Sequence, residues 1–301
     1  MNKPAKRSDR IVISASRRTD IPAFYLPWFM QSIDRGFFNV VNPYNRRVTV
    51  VPASPEKIHT IVFWSKNFSR FLDENIGPQL IQAGYNLFFN FTINSAIRLL
   101  EPRVPPLDER LEQLKRLCQS FDPRSVNWRF DPICHFQTSD GKMRDNLSSF
   151  EMIAAHAARC GIRRCITSFR DDYAKIRKRI KAIPGFAFTD PPLEQKKAIL
   201  LSMETTLAKY NMRLYTCCEK QVSEILPSES SIRPGSCIPN DLLADLFGGR
   251  LSLRKDSGQR VQAGCGCKLS ADIGSYHLHP CFHNCLFCYA NPSGTTQTRP
   301  I

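Results

Sequence analysis

The sequence predicts an α/β fold: a partial six-fold barrel of the TIM type, with a mainly parallel sheet and a cysteine-rich C-terminal extension. Six short apolar runs, rich in β-branched and aromatic residues, recur along the first 216 residues with helical patterns between them. Such runs are typical of parallel strands that are buried on both faces. Six strand–helix repeats fit a partial barrel better than a full eight-fold one.

Segments with helical features lie between the predicted strands. The strands are Ile11–Ile13, Ile61–Trp64, Leu87–Ile93, Val126–Phe130, Cys165–Phe169 and Met212–Thr216. The helices are predicted to begin at Pro22, to follow the leucine stripe from Leu107 to Leu117, to span Met152–Ala158 before a stop at Gly161, and to extend from Leu193 to Tyr210.

The amino-acid composition of the chain changes after residue 216, where Pro, Ser, Gly and Cys become frequent. We therefore expect two regions, an α/β core over residues 1–216 and a cysteine-rich, metal-organised extension over residues 217–301 that packs on the core. One short helix, Leu242–Phe247, is predicted within the extension.

Composition predicts a folded cytoplasmic protein without membrane contact. Apolar residues make up 42% of the 301 residues, enough for a core. No signal peptide is recognisable, and no stretch approaches the roughly 18 apolar residues of a membrane-spanning helix. In a reducing compartment, clustered members of the twelve cysteines are expected to be metal ligands or catalytic groups and not disulfides.

The net charge of +15 indicates an anionic partner. A positive field of this size attracts polyanions and anionic small molecules, but it does not choose between them. The densest basic stretch, residues 159–181, is interpreted as a solvated helix face. No zinc-finger spacing or RNA-binding aromatic signature accompanies it.

Three cysteines near the C-terminus form the most specific motif of the chain. Cys281, Cys285 and Cys288 have C-x3-C-x2-C spacing, and three thiolates in one tight loop can face a single iron–sulfur cluster. Only three ligands would leave one iron open to a substrate or cofactor. The alternatives are a zinc site, which favours a closed set of four ligands, and three unrelated buried thiols.

This motif resembles the cluster loop of the radical SAM superfamily, with Phe287 just before the last cysteine and Tyr289 just after it. The resemblance implies a [4Fe–4S] cluster whose open iron binds S-adenosylmethionine, with reductive cleavage to a 5′-deoxyadenosyl radical. The superfamily usually carries this loop after the first strand, whereas here it lies near the C-terminus. That position resembles a circular permutation.

Nearly the full length also resembles the bacterial family DUF1848. The matching segments are Ser14–Pro22 (SASRRTDIP), Val62–Asn67 (VFWSKN), Trp128–Ile133 (WRFDPI) and Gly264–Gly274 (GCGCKLSADIG), which leads into the cysteine motif. The resemblance implies no particular substrate.

A second set of cysteines lies in the extension. Cys218 (or Cys217), Cys237, Cys265 and Cys267 could close either a second iron–sulfur cluster or a structural zinc site. The C-x-C pair is too short for ordinary zinc-finger geometry. An equally weighted alternative is that some of these cysteines only pack in the core.

Charged residues follow several predicted strands. Ligands of parallel α/β sheets bind at the carboxyl ends of the strands, so these residues predict a basic pocket. An alternative for each of them is an ion pair between neighbouring strands. The candidates are Arg17, Asp20, Lys66, Arg129 and Asp131 for catalysis, and Arg18, Asn67 and Tyr289 for cofactor binding.

The leading hypothesis is a radical-SAM-like enzyme that acts on an anionic substrate and receives electrons from a donor such as a ferredoxin or flavodoxin. Its alternative is a non-catalytic protein, stabilised by zinc or an iron–sulfur cluster, that binds nucleic acid or another polyanion. The two differ in that the second predicts no binding of S-adenosylmethionine.

Overall fold

The computed structural model describes residues 10–43 and 45–290. The strands are β1 (Ile11–Ala15), β2 (Phe37–Val41), β3 (Val48–Pro52), β4 (Ile58–Ser65), β5 (Asn86–Thr92), β6 (Val126–Ile133), β7 (His135–Gln137), β8 (Met143–Asp145), β9 (Arg164–Phe169), β10 (Ala187–Thr189), β11 (Arg213–Thr216), β12 (Arg233–Pro234) and β13 (Ala271–Asp272). The helices are α1 (Ile21–Phe24), α2 (Leu26–Arg35), α3 (Ser69–Asp73), α4 (Ile76–Gln82), α5 (Leu107–Ser120), α6 (Phe150–Arg159), α7 (Ala174–Ile180), α8 (Leu193–Ala208), α9 (Lys220–Glu224) and α10 (Asn240–Phe247).

An eight-stranded parallel sheet forms the centre of the molecule, in the order β12-β11-β9-β6-β5-β4-β1-β13. Its six inner strands are the six strands predicted from the apolar runs, and helices alternate with them along the chain. The predicted α/β class with a mainly parallel sheet is therefore confirmed. The two edge strands, β12 and β13, come from the C-terminal extension.

Other parts of the chain cover both faces of the sheet. Successive side chains of a strand point to opposite faces, so each strand contributes side chains to both coverings. On β5, Phe89 and Phe91 pack in the large apolar core that the helices cover. Phe88, between them in the sequence, packs in a second apolar cluster that includes Ile238 and Leu243 of the extension. The helices therefore cover one face of the central sheet, and the extension covers the other face.

The helix predicted to begin at Pro22 is divided in two. Asp20 caps α1, which ends at Phe24, and α2 starts again at Leu26 with Pro27 in its first turn. A proline has no N–H to bond to the preceding turn, so one continuous helix is excluded. The helices α5, α6, α8 and α10 agree with their predicted positions to within a few residues.

Two small antiparallel sheets were not predicted. One is the β2–β3 hairpin and the other has the order β10-β7-β8. Val48 and Val50 of β3 are exposed, so this strand lacks the burial pattern that makes strands recognisable in a sequence.

The described part of the chain contains no helix with the length and apolar character needed to cross a membrane.

Candidate metal centres

The C-terminal cysteine motif lies in a loop, residues 280–289, which we call the cysteine loop. Cys285 is buried, whereas Cys281 and Cys288 are partly exposed. Asn284 has a left-handed backbone (φ 57°), a conformation that asparagine tolerates better than most residues, and it turns the chain just before Cys285.

Asp20 fastens the cysteine loop to the ends of β1 and β4. Its carboxylate accepts hydrogen bonds from Ser65 Oγ (2.7 Å) and from the backbone N–H groups of Ala23 (3.0 Å) and Lys66 (2.8 Å). It also lies 2.7 Å from Nε2 of His283, inside the cysteine loop. Both residues are buried, so Asp20 joins three segments of the chain at one point.

An ion pair between the partly buried Lys66 and the buried Glu101 stands beside Cys285. Lys66 Nζ lies 2.5 Å from Glu101 Oε1 and 5.4 Å from the ring centre of Phe287 in the cysteine loop. Burial alone would lower the pKa of Lys66, but the negative charges of Glu101 and of a Cys285 thiolate raise it overall. Lys66 is therefore a fixed positive charge next to the loop thiols.

Side chains also hold the backbone of the cysteine loop. The Arg179 guanidinium, at the end of α7, donates to the carbonyl oxygens of Leu286 (2.8 Å), Cys288 (3.2 Å) and Cys285 (3.3 Å). The Tyr25 hydroxyl donates to the carbonyl oxygen of Pro280 at 2.6 Å. The loop conformation therefore depends on side chains from two distant helical regions.

The loop thiols are not spaced for a single metal ion. Across the described residues, the one group of potential ligands whose donor atoms all lie within 4.8 Å of one another lies elsewhere in the extension. Thiolates on one tetrahedral ion stand about 3.8 Å apart, given metal–sulfur bonds of about 2.3 Å. Thiolates that bind different irons of one cluster stand farther apart.

Five other thiols meet inside the extension, namely Cys217, Cys218, Cys237, Cys265 and Cys267, which we call the five-cysteine set. Cys217 Sγ and Cys218 Sγ are 3.7 Å apart, and both lie within 4.8 Å of Cys265 Sγ. Cys217 also interacts with Cys237, Cys237 with Cys267, and Cys267 with Cys265. Interactions with the neighbouring thiols Cys217, Cys218 and Cys267 lower the pKa of Cys265.

The predicted basic pocket is divided between the two cysteine groups. Asp20 and Lys66 belong to the cysteine loop. Arg129 lies beside the five-cysteine set, where its charge interacts with Cys237, and it pairs with Asp131 on the same face of β6. Arg17 also lies there, where its charge interacts with Cys267.

The three residues predicted to bind a cofactor make local contacts. Asn67 Oδ1 accepts from the Ser69 N–H (3.0 Å) at the start of α3. Arg18 donates to the carbonyl oxygen of Gly274 (3.1 Å), and the Tyr289 hydroxyl donates to that of Arg17 (3.2 Å). These hydrogen bonds fix the positions of the three side chains.

Sequence reasoning missed three residues around the cysteine loop. The place of His283 between two motif cysteines is a usable sequence signal for one of them. Glu101 and Arg179 carry no such signal, because neither directly follows a strand or belongs to a motif. Only the folded chain brings them to the loop.

A family model for DUF1848, described as a domain of unknown function, matches residues 12–290. The chain belongs to this family. The match includes the cysteine loop and the five-cysteine set, so both cysteine groups lie within the DUF1848 domain. No curated protein matches the chain.

Proposed function

We propose that this DUF1848 protein is a radical-SAM-like iron–sulfur enzyme whose cluster is bound by Cys281, Cys285 and Cys288. The observation that carries the proposal is the meeting of the three loop thiols with the buried Lys66–Glu101 pair. This meeting occurs at the carboxyl end of β4, where α/β sheets commonly bind their ligands.

The donor set fits an iron–sulfur cluster. Three thiols with wider spacing than one ion requires match a cluster that keeps one iron without a protein ligand. Burial raises the pKa of the Cys285 thiol, so ligation as a thiolate requires compensating positive charge. Lys66 supplies part of that charge, and the metal centre supplies the rest.

A cluster of this class, when bound and reduced by an external electron donor such as a ferredoxin or flavodoxin, would supply the one electron that cleaves S-adenosylmethionine to methionine and a 5′-deoxyadenosyl radical, and that radical would take a hydrogen atom from a substrate. The residues of the chain then have to hold the ligand and exclude water. Phe287 and Leu286 of the loop pack with Leu100 and Phe136 in an apolar cluster, which shields one side of the loop.

Glu101 suits the ammonium group of an amino acid moiety, and Lys66 suits its carboxylate group. Glu101 Oε2 is buried and accepts no hydrogen bond within the described part of the chain, although Arg110 stands 3.9 Å away. A buried carboxylate oxygen of this kind can accept from an ammonium group. Lys66 has further N–H groups to donate to a carboxylate.

The test is anaerobic reconstitution with iron and sulfide, followed by EPR of the reduced protein with and without S-adenosylmethionine. We expect a [4Fe–4S] signal that changes when S-adenosylmethionine is added. Glu101→Gln is expected to keep the signal and to weaken that response at least tenfold in ligand concentration, because one charge-assisted hydrogen bond is lost.

Two cysteine variants make the test specific. Cys285→Ala should abolish the signal, whereas Cys134→Ser should keep it. Cys134 is the matched control, since it is buried in the same apolar cluster as Cys285 and its Sγ lies 3.8 Å from the carbonyl oxygen of Pro132. A protein that binds no cluster, or whose cluster survives Cys285→Ala, contradicts the proposal.

A further inference from the structure

We infer that the five-cysteine set binds one zinc ion, with Cys217 and Cys265 as its central ligands and two of the three flanking thiols completing a tetrahedron. The flanking thiols are Cys218, Cys237 and Cys267. The site is separate from the cysteine loop, and the inference does not depend on the proposed reaction.

Sulfur spacing is the first support. The 3.7 Å between Cys217 Sγ and Cys218 Sγ matches the edge of about 3.8 Å of a zinc tetrathiolate, and Cys265 Sγ lies within 4.8 Å of both. Cys217 and Cys265 each interact with three other thiols of the set, whereas each flanking thiol interacts with two. We therefore place these two thiols at the centre of the site.

The surrounding backbone holds the thiols together. The Cys217 N–H donates to Thr167 of β9 (2.8 Å), and the Cys237 carbonyl accepts from the Asn90 amide of β5 (2.9 Å). Both cysteines are thus fixed to the central sheet.

Gly266, between Cys265 and Cys267, allows the third segment to approach. A Cβ at Gly266 would stand 2.5 Å from the carbonyl oxygen of Gly235, which excludes any larger residue there without movement. The C-x-C pair is therefore pressed against the segment that carries Cys237. That close packing explains how so short a pair can share one site with distant cysteines.

Positive charge around the set supports a metal–thiolate centre. Four thiols that bind Zn²⁺ release four protons and leave a net charge of −2, which a buried site must balance. Arg17 and Arg129 interact with the set, and Arg260 lies beside Cys218.

Two buried N–H groups in these arginines lack partners among the described residues, namely Arg17 Nη2 and Arg129 Nε. Metal-bound thiolates are hydrogen-bond acceptors, and such outer contacts commonly surround a metal site. The buried donors therefore point to thiolates at this place, whereas neutral thiols would accept only weakly.

The test is metal analysis of the purified full-length protein and of single variants. We expect about one zinc per chain, lost in Cys217→Ser and in Cys265→Ser. Cys218→Ser and Cys237→Ser are each expected to keep zinc with at least tenfold weaker affinity in chelator competition, because both central ligands and two flanking thiols remain. The double variant with both substitutions should lose it.

Cys160→Ser is the matched control, because Cys160 is a partly buried cysteine at the end of α6 that belongs to neither group. Iron and EPR measured on the same samples separate the two centres: zinc should persist in Cys285→Ala, and the loop cluster should persist in a folded Cys265→Ser protein. Circular dichroism establishes which variants fold. Zinc that survives Cys265→Ser, zinc that is lost with Cys285→Ala, or iron and sulfide in place of zinc would overturn the inference.

Discussion

The cysteine loop and the five-cysteine set lie on the same extension of the chain but differ in thiol number, spacing and surroundings. The loop offers three thiols that are not grouped within single-ion distance, beside the buried Lys66–Glu101 pair. The five-cysteine set offers more thiols than one ion needs, in close contact and packed among apolar side chains such as Val12 and Leu243.

This difference separates two kinds of metal chemistry. A ligand set that is incomplete suits a centre that binds a further molecule. A complete set of thiolates, with its charge balanced by nearby arginines, suits a structural ion. The number of thiols alone would have pointed to the five-cysteine set as the ligand-binding site. The features that suit ligand binding lie instead at the cysteine loop, which has fewer thiols.

The largest effect is expected from removal of the inferred zinc ion. Stripping the five-cysteine set with a strong chelator should lower the free energy of unfolding by on the order of 5 kcal/mol, since structural zinc in small peptides contributes roughly 10 kcal/mol or more. Stripping should become easier as the pH falls, because protons compete for the thiolates. Thermal unfolding with and without chelator measures the effect. An unchanged unfolding temperature after complete removal of the metal would contradict a structural role for zinc.

Asp20→Ala should have the next largest effect. It leaves the buried His283 and Ser65 without their shared acceptor, at a cost of about 3 kcal/mol. The change should loosen the cysteine loop and leave zinc bound. Urea unfolding measures the cost.

Asp73→Ala is the control for this change, because Asp73 pairs with Arg116 at the surface. Its cost should stay below about 0.5 kcal/mol. Equal costs for the two variants would contradict the structural role given to Asp20.

Lys66→Met should lower the reduction potential of a cluster bound at Cys285 by on the order of 100 mV, because it removes a buried positive charge close to that thiolate. Redox titration followed by EPR measures the shift. In Lys115→Met, which removes an exposed lysine that pairs with Glu112, the potential should not change. A potential that is insensitive to Lys66 would mean that the cluster lies elsewhere.

The smallest effect is expected for Arg179→Ala, at about 1–2 kcal/mol, because three hydrogen bonds to loop carbonyls are lost. Hydrogen exchange at residues 285–289 should quicken, while exchange at residues 265–267 stays unchanged. Arg177→Ala is the control, since Arg177 lies on the same helix and pairs with the exposed Asp172. Equal exchange in both variants would show that Arg179 does not hold the loop.

Much of the fold could be predicted because the six inner strands are continuous apolar runs. Burial on both faces leaves that pattern in the sequence itself, as in Leu87–Ile93. The hairpin β2–β3 and the sheet β10-β7-β8 left no such pattern, because part of each is exposed. The edge strands β12 and β13 have two residues each, too few for any periodicity.

The sequence by itself determined the fold class, the two cysteine groups and the charged residues at strand ends, since all of these are local patterns of spacing. Only the tertiary structure decided which charges serve which cysteines. Lys66 and Asp20 meet the loop, Arg129 meets the five-cysteine set, and Glu101 joins Lys66 across 35 residues. The energy of an electrostatic interaction depends on the distance between the two charges in space. For residues far apart in the sequence, the fold sets that distance and the sequence spacing does not.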